Sequence, residues 1–174
     1  MLMRMLSAAG VPLVVDELRP PDEDNPHGYF EFTPVKALNK PGDKQWVTQA
    51  QGKAIKVISF LLPHLPDDYH YKIIFLKRRL AEVLASQKKM VARRGTPTGD
   101  ISDEAMASTF TTHLAQVQKL LSTRSNCEVL YIDHRDALET PDQVAGAIAS
   151  FLGEPLDTAV MAAEIDQKLH RNRA

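Results

Sequence analysis

One cysteine, Cys127, stands in a chain of 174 residues, so no internal disulfide forms and a cysteine-rich metal site is excluded. The six histidines show no ligand spacing such as His-Glu-x-x-His, and no metal site is expected. Charge of one sign is also lacking. Lys and Arg number 21 against 22 Asp and Glu, a net charge of −1. A global basic field for nucleic acid is therefore absent, and any anion site must come from local clustering. No apolar run approaches the roughly 18 residues that a membrane span requires. Neither Gly-x-x-x-x-Gly-Lys-Ser/Thr nor Gly-x-Gly-x-x-Gly occurs, so a Walker-type phosphotransferase has no sequence support.

What is present suits a single domain over residues 1–174, with a hydrophobic fraction of 44% to build a core. Arg4 and the mildly apolar start resemble a leader peptide, but Gly10 and Pro12 interrupt the stretch and Asp16-Glu17 follow. The better expectation is a helix over Leu2 to Ala9, a short strand over Val11 to Val15, and a cytoplasmic protein. Further strands are expected at Ile55 to Ser59, Ile73 to Leu76 and Val129 to Ile132, from their lengths and β-branched content. Cys127 then reads as a buried strand residue, a small hydrophobe more than a reactive thiol. Helical patterns cover Leu80 to Val91, Asp103 to Ser122 with Ser102 as N-cap, Pro141 to Leu152 between Thr140 and Gly153, and Leu156 to Leu169. Arg19 to Tyr29 and Arg93 to Ser102 read as loops. Alternating strands and helices predict an α/β fold, a mostly parallel sheet with helices on both faces, and ligands at the carboxyl ends of its strands.

The most informative stretch runs from Tyr71 to Lys89. A buried strand ends at Lys77-Arg78-Arg79 and a helix follows at once. From Lys72 to Arg94 there are eight Lys or Arg and one acid, Glu82. Cations at a helix N-terminus oppose its dipole, and a bound anion there would relieve the conflict. Arginine adds a fork suited to phosphate. The plainer alternative is a solvated basic face.

Arg78 and, eight residues later, Ser86 span this strand-to-helix junction in a way that resembles the 3′-phosphate motif of sulfotransferases. The likeness extends to the turn Asp24-Asn25-Pro26-His27-Gly28-Tyr29-Phe30-Glu31, to Lys56, to Val129–Leu138, and to Phe151-Leu152-Gly153. It implies the sulfotransferase form of the P-loop nucleotide-hydrolase-like fold. It also implies a sulfuryl donor, 3′-phosphoadenylyl sulfate, and a hydroxyl or amine acceptor on a small molecule, glycan or peptide. Arg78 and Ser86 would hold the 3′-phosphate. His134, where members often have Tyr, would lie near the adenine, and the basic C-terminal Arg171 would assist at the 3′-phosphate. Lys56 would stabilise charge on the transferring group. Glu31 is a candidate base if its pKa is raised; otherwise it is a surface carboxylate. Tyr29 and Phe30 would anchor its loop on the core.

The departures matter equally. Leu80 replaces a proline common in the family, and Ile58 stands where members carry a His base, with His64 a nearby substitute. The first residues, Met1-Leu2-Met3-Arg4-Met5-Leu6, look like the helix that follows the family's Ser-Gly-Thr loop, so the domain reads as N-terminally truncated. Transfer, which leans on that loop's electrostatic stabilisation of the 5′ side, is expected to be impaired. The alternative is a non-catalytic 3′-phosphoadenosine-binding or protein-interaction module.

Overall fold

The computed structural model describes residues 1–16, 18–22, 25–42, 44–86 and 102–165. Strand β1 (Tyr71–Lys77) and strand β2 (Cys127–Asp133) pair in parallel, from Tyr71 opposite Cys127 to Lys77 opposite Asp133. Both strands are Val/Ile/Leu-rich because both of their faces are covered. Ile74, Leu76, Leu130 and Ile132 point into one apolar cluster, and Ile73, Phe75, Cys127 and Val129 into another. Successive side chains on a strand face opposite ways, so the two clusters occupy opposite sides of the sheet.

The first cluster is closed by α1 (Leu2–Ala8), α6 (Pro141–Leu152) and α7 (Thr158–Ala163), through Met5, Leu6, Ala145, Ile148 and Met161. The second is closed by the 3-10 turns η1 (Thr33–Ala37) and η2 (Ser59–His64) and by α4 (Asp103–Thr123), through Val35, Leu61, Leu62, Val117 and Leu121. Each fully buried Leu, Ile or Met contributes roughly 1.5–3 kcal/mol. Two short helices, α2 (Trp46–Gln49) and α5 (His134–Glu139), and a helix whose described part, α3, is residues 80–86 complete the elements.

The architecture is thus mixed α/β and mostly helical, with a sheet smaller than the sequence suggests. Residues 11–15 and 55–59 do not become ladder strands. A single parallel bridge joins Leu13 to Ala54, the residue just before the second run, closed by Val14 N–H to the Ala54 carbonyl at 2.9 Å and Ala54 N–H to the Pro12 carbonyl at 2.8 Å. Their side chains nevertheless pack as sheet residues do: Val11, Leu13 and Ala54 against the first cluster, Ile55 and Val57 against the second.

Helix ends follow local chemistry. Ser102 caps α4, its hydroxyl accepting from the Ala105 N–H. Asp157, missed as a cap, accepts from the Ala159 and Val160 N–H groups and starts α7 two residues later than expected. Thr140 does not cap α6; its hydroxyl donates back to the Asp136 carbonyl, since Thr140 also ends α5. Gly153, at φ 74°, ends α6 in the left-handed conformation that glycine tolerates. The Lys72 ammonium donates to the Phe151 and Leu152 carbonyls there, the end of a helix dipole that favours a cation. α7 ends at Ala163, short of the expected helix, and the expected helical residues 87–91 and 166–169 and the expected loop at 93–101 lie outside the described residues. Among the described residues, no helix is long and apolar enough to cross a membrane.

Candidate functional site

The candidate residues fall into two groups. The first gathers where β1 and β2 end. Lys77 and Asp133 are register partners, so Arg78 and His134, each the next residue, leave the sheet side by side at its carboxyl edge. Asp133 turns the chain there by accepting the Arg135 N–H, so His134 is the first residue of α5. Arg78 precedes α3, and its Nε donates to Glu82 Oε2 at 3.0 Å, one helical turn on. Glu82 is 6% exposed, so the carboxylate end of this ion pair is shielded from water, while the Arg78 side chain stays 27% exposed. Ser86 is half-buried two turns along α3 from Arg78. Lys77, exposed, sits 5.3 Å from the centre of the Tyr131 ring. Arg171 lies outside the described residues.

The second group forms around Glu31. The loop before it bends sharply, with Gly28 at φ 85° and Phe30 at φ 51°; Phe30 is the single non-glycine residue in the left-handed region among the described residues. Neither Tyr29 nor Phe30 joins the apolar clusters. The aromatic that ties this segment to the core is Phe32, edge-on to Trp46 at 5.5 Å. Tyr29 instead organises cations: the Arg19 guanidinium lies 3.2 Å above its ring, its hydroxyl donates to Asp22, and its carbonyl accepts from Lys56 Nζ. The Glu31 carboxylate meets Lys36 at 2.8 Å, Arg19 at 3.2 Å and Lys56 at 3.9 Å. Arg19 and Lys36 carry no motif, and only folding marks them as members of this group.

These contacts set the protonation states. The hydrogen bond from Lys36 leads in holding the Glu31 carboxyl below its ordinary range, against a smaller opposing effect of burial, with Lys56 and Arg19 adding to it. A raised pKa, the condition for a general base, is not met at Glu31. Burial, partly offset by Glu31, lowers Lys56 from the usual lysine value.

His64 ends η2 and is exposed; its carbonyl accepts from Lys44. A different imidazole lies near the Lys56 segment. His113 of α4 has Nε2 2.9 Å from Ser59 Oγ and stacks at 3.6 Å on Phe60, and burial lowers its pKa. Nothing in the sequence flags it, because Ser59 and His113 are 54 residues apart. Ile58 and Phe60, 58% and 49% exposed, flank this pair as an apolar surface.

Cys127 is half-buried in β2, and burial raises its thiol pKa, the opposite of an activated nucleophile. An open cleft of about 380 Å³ runs between Lys40, Lys44, Thr48 and the Pro66–Tyr69 turn, away from both groups. No cluster of metal-ligating side chains occurs among the described residues. No protein-family model, curated protein or solved structure matches this chain.

Proposed function

We propose that this chain is a sulfotransferase-like domain that binds 3′-phosphoadenylyl sulfate at the carboxyl ends of β1 and β2. Arg78 and Ser86 take the 3′-phosphate, with Arg171 assisting, and His134 lies against the adenine. Lys56 faces the sulfuryl group. In the transfer, the acceptor oxygen or nitrogen bonds to sulfur, the sulfur–oxygen bond to the 5′-phosphate breaks with its electron pair staying on that phosphate oxygen, and the acceptor's proton passes to solvent water. Lys56 offsets negative charge on the oxygens of that group.

The observation that carries this reading is the pairing of Lys77 with Asp133, which sets Arg78 beside His134 at the sheet edge where ligands of α/β folds bind. The Arg78–Glu82 ion pair fits as well, since a guanidinium held by a carboxylate one turn away is already oriented toward the helix start. Calorimetric titration with 3′-phosphoadenosine 5′-phosphate tests it. Saturable binding that weakens at least about tenfold in Arg78→Ala is expected, a loss of about 1.4 kcal/mol or more. Equal affinity in both proteins would overturn the assignment.

A second reading, a nucleotide-binding module without turnover, is favoured by one finding: Glu31 is held ionised by three cations and is a poor proton acceptor. Donor binding with no sulfated product over a panel of alcohol and amine acceptors would select it. Any sulfated product would reject it.

A further inference from the structure

Three cations from three separate segments converge on one carboxylate. Lys36 reaches Glu31 Oε2, while Arg19 and Lys56 share Oε1. Two further acids border this group: Asp22, which accepts from the Tyr29 hydroxyl, and Asp16. The Asp16 carboxylate is occupied by the Leu18 and Thr33 N–H groups, and it senses Lys36. Glu31 therefore carries three cations on one carboxylate, while Asp16 and Asp22 are each engaged by other donors.

Cations crowded together repel one another, and partial burial makes this costlier by weakening solvent screening. Lys56 is half-buried, and Arg19 is fixed by stacking on Tyr29. The cluster is open to solvent on the Lys36 side, whose side chain is 63% exposed. Two fixed donors, Arg19 and Lys56, positive charge gathered at one point and an open side are what a small oxyanion requires.

The geometry points to an oxyanion-binding site formed by Arg19, Lys36 and Lys56, in which the Glu31 carboxylate is a resident stand-in that a sulfate or phosphate group displaces. Glu31 supplies two oxygens to donors that a tetrahedral oxyanion would meet with three or four. In the resting protein it keeps the cations together. When the ligand group enters, Glu31 yields its place. The inference concerns the Lys56 end of the proposed function and names the ligand chemistry there, but it rests on the charges around Glu31 and not on nucleotide binding at Arg78.

The test is a titration of the full chain with inorganic sulfate and, separately, inorganic phosphate, at ionic strength held constant with sodium chloride. Backbone amide NMR shifts of Glu31, Lys36 and Lys56 are the readout. Saturable shifts are expected in the native protein. In Glu31→Gln the resident anion is gone, and sulfate should bind about tenfold more tightly. In Lys36→Gln it should bind about threefold more weakly. Sulfate and phosphate acting alike support a general oxyanion site, and a response to one alone supports a site selective for that ion. Equal affinity in the native and Glu31→Gln proteins, or a chloride titration that reproduces the shifts, overturns the inference. Should Glu31→Gln fail to fold, Lys36→Gln decides, because its side chain is exposed: unchanged sulfate affinity overturns the inference. Failure here with intact, Arg78-dependent nucleotide binding leaves the proposed function standing, and the reverse result separates the two in the other direction.

Discussion

Arg78 and Glu31 sit in opposite electrostatic situations. Arg78 pairs with a buried carboxylate one helical turn away, within a single element. Glu31 gathers cations from positions 19, 36 and 56, each on a different stretch of chain. The first pair is local, shielded at its Glu82 end and fixed as soon as the helix forms. The second assembles only when the loop, η1 and the extended segment after Ala54 have come together, and it remains partly in water. Burial should therefore make the first contact a matter of stability, and the gathering of three cations at one open place should make the second a matter of binding.

Breaking the buried member separates the two most clearly. Glu82→Ala deletes the buried carboxylate and leaves the Arg78 guanidinium, 27% exposed, partly to water, and a stability loss of about 1–3 kcal/mol is expected in urea denaturation. A loss below about 1 kcal/mol would mean that the pair is as weak as a surface ion pair. Next in size is Arg78→Ala, with at least about tenfold weaker binding of 3′-phosphoadenosine 5′-phosphate by calorimetry, or about 1.4 kcal/mol.

Acid should act selectively on the Glu31 group. Its folded-state pKa lies below the unfolded value, so the folded state binds fewer protons in that range. Its contribution is present above the ordinary glutamate pKa and is lost as pH falls through the lower folded value. Stability measured from pH 5 downward should therefore fall less steeply in Glu31→Gln than in the native protein. Identical acid limbs would show that the three cations do not favour the ionised carboxylate. The smallest effect is expected at Lys36→Gln, about 0.5 kcal/mol or less in thermal or urea unfolding, because that side chain is exposed. A loss near that of Glu82→Ala would erase the distinction.

The sequence was most legible where local chemistry decides. β1 and β2 carry β-branched runs, and Ser102 and Gly153 bound α4 and α6 as their residue types predict. It misled at residues 11–15 and 55–59. These have the apolar content of strands and fill both clusters, but a ladder requires a partner along its length, and Pro12 has no N–H to give. Thr140 misled for a related reason: the next helix upstream ends on it, so its hydroxyl has a nearer carbonyl. Of the candidate residues, Arg78 was singled out by the basic strand-to-helix junction and His134 by the family resemblance, and both lie where β1 and β2 end. Arg19, Lys36 and His113 were not singled out, because no spacing links them to Glu31, Lys56 or Ser59.

By itself the sequence determined the strand and helix periods, two helix boundaries and the basic exit from β1. All of these depend on residues within a turn or two of one another. Only the tertiary structure decided that two of four apolar runs pair as a ladder and that Glu31 is held ionised by three cations. Which backbone groups meet, and how many charges share one partly dry space, depend on long-range packing.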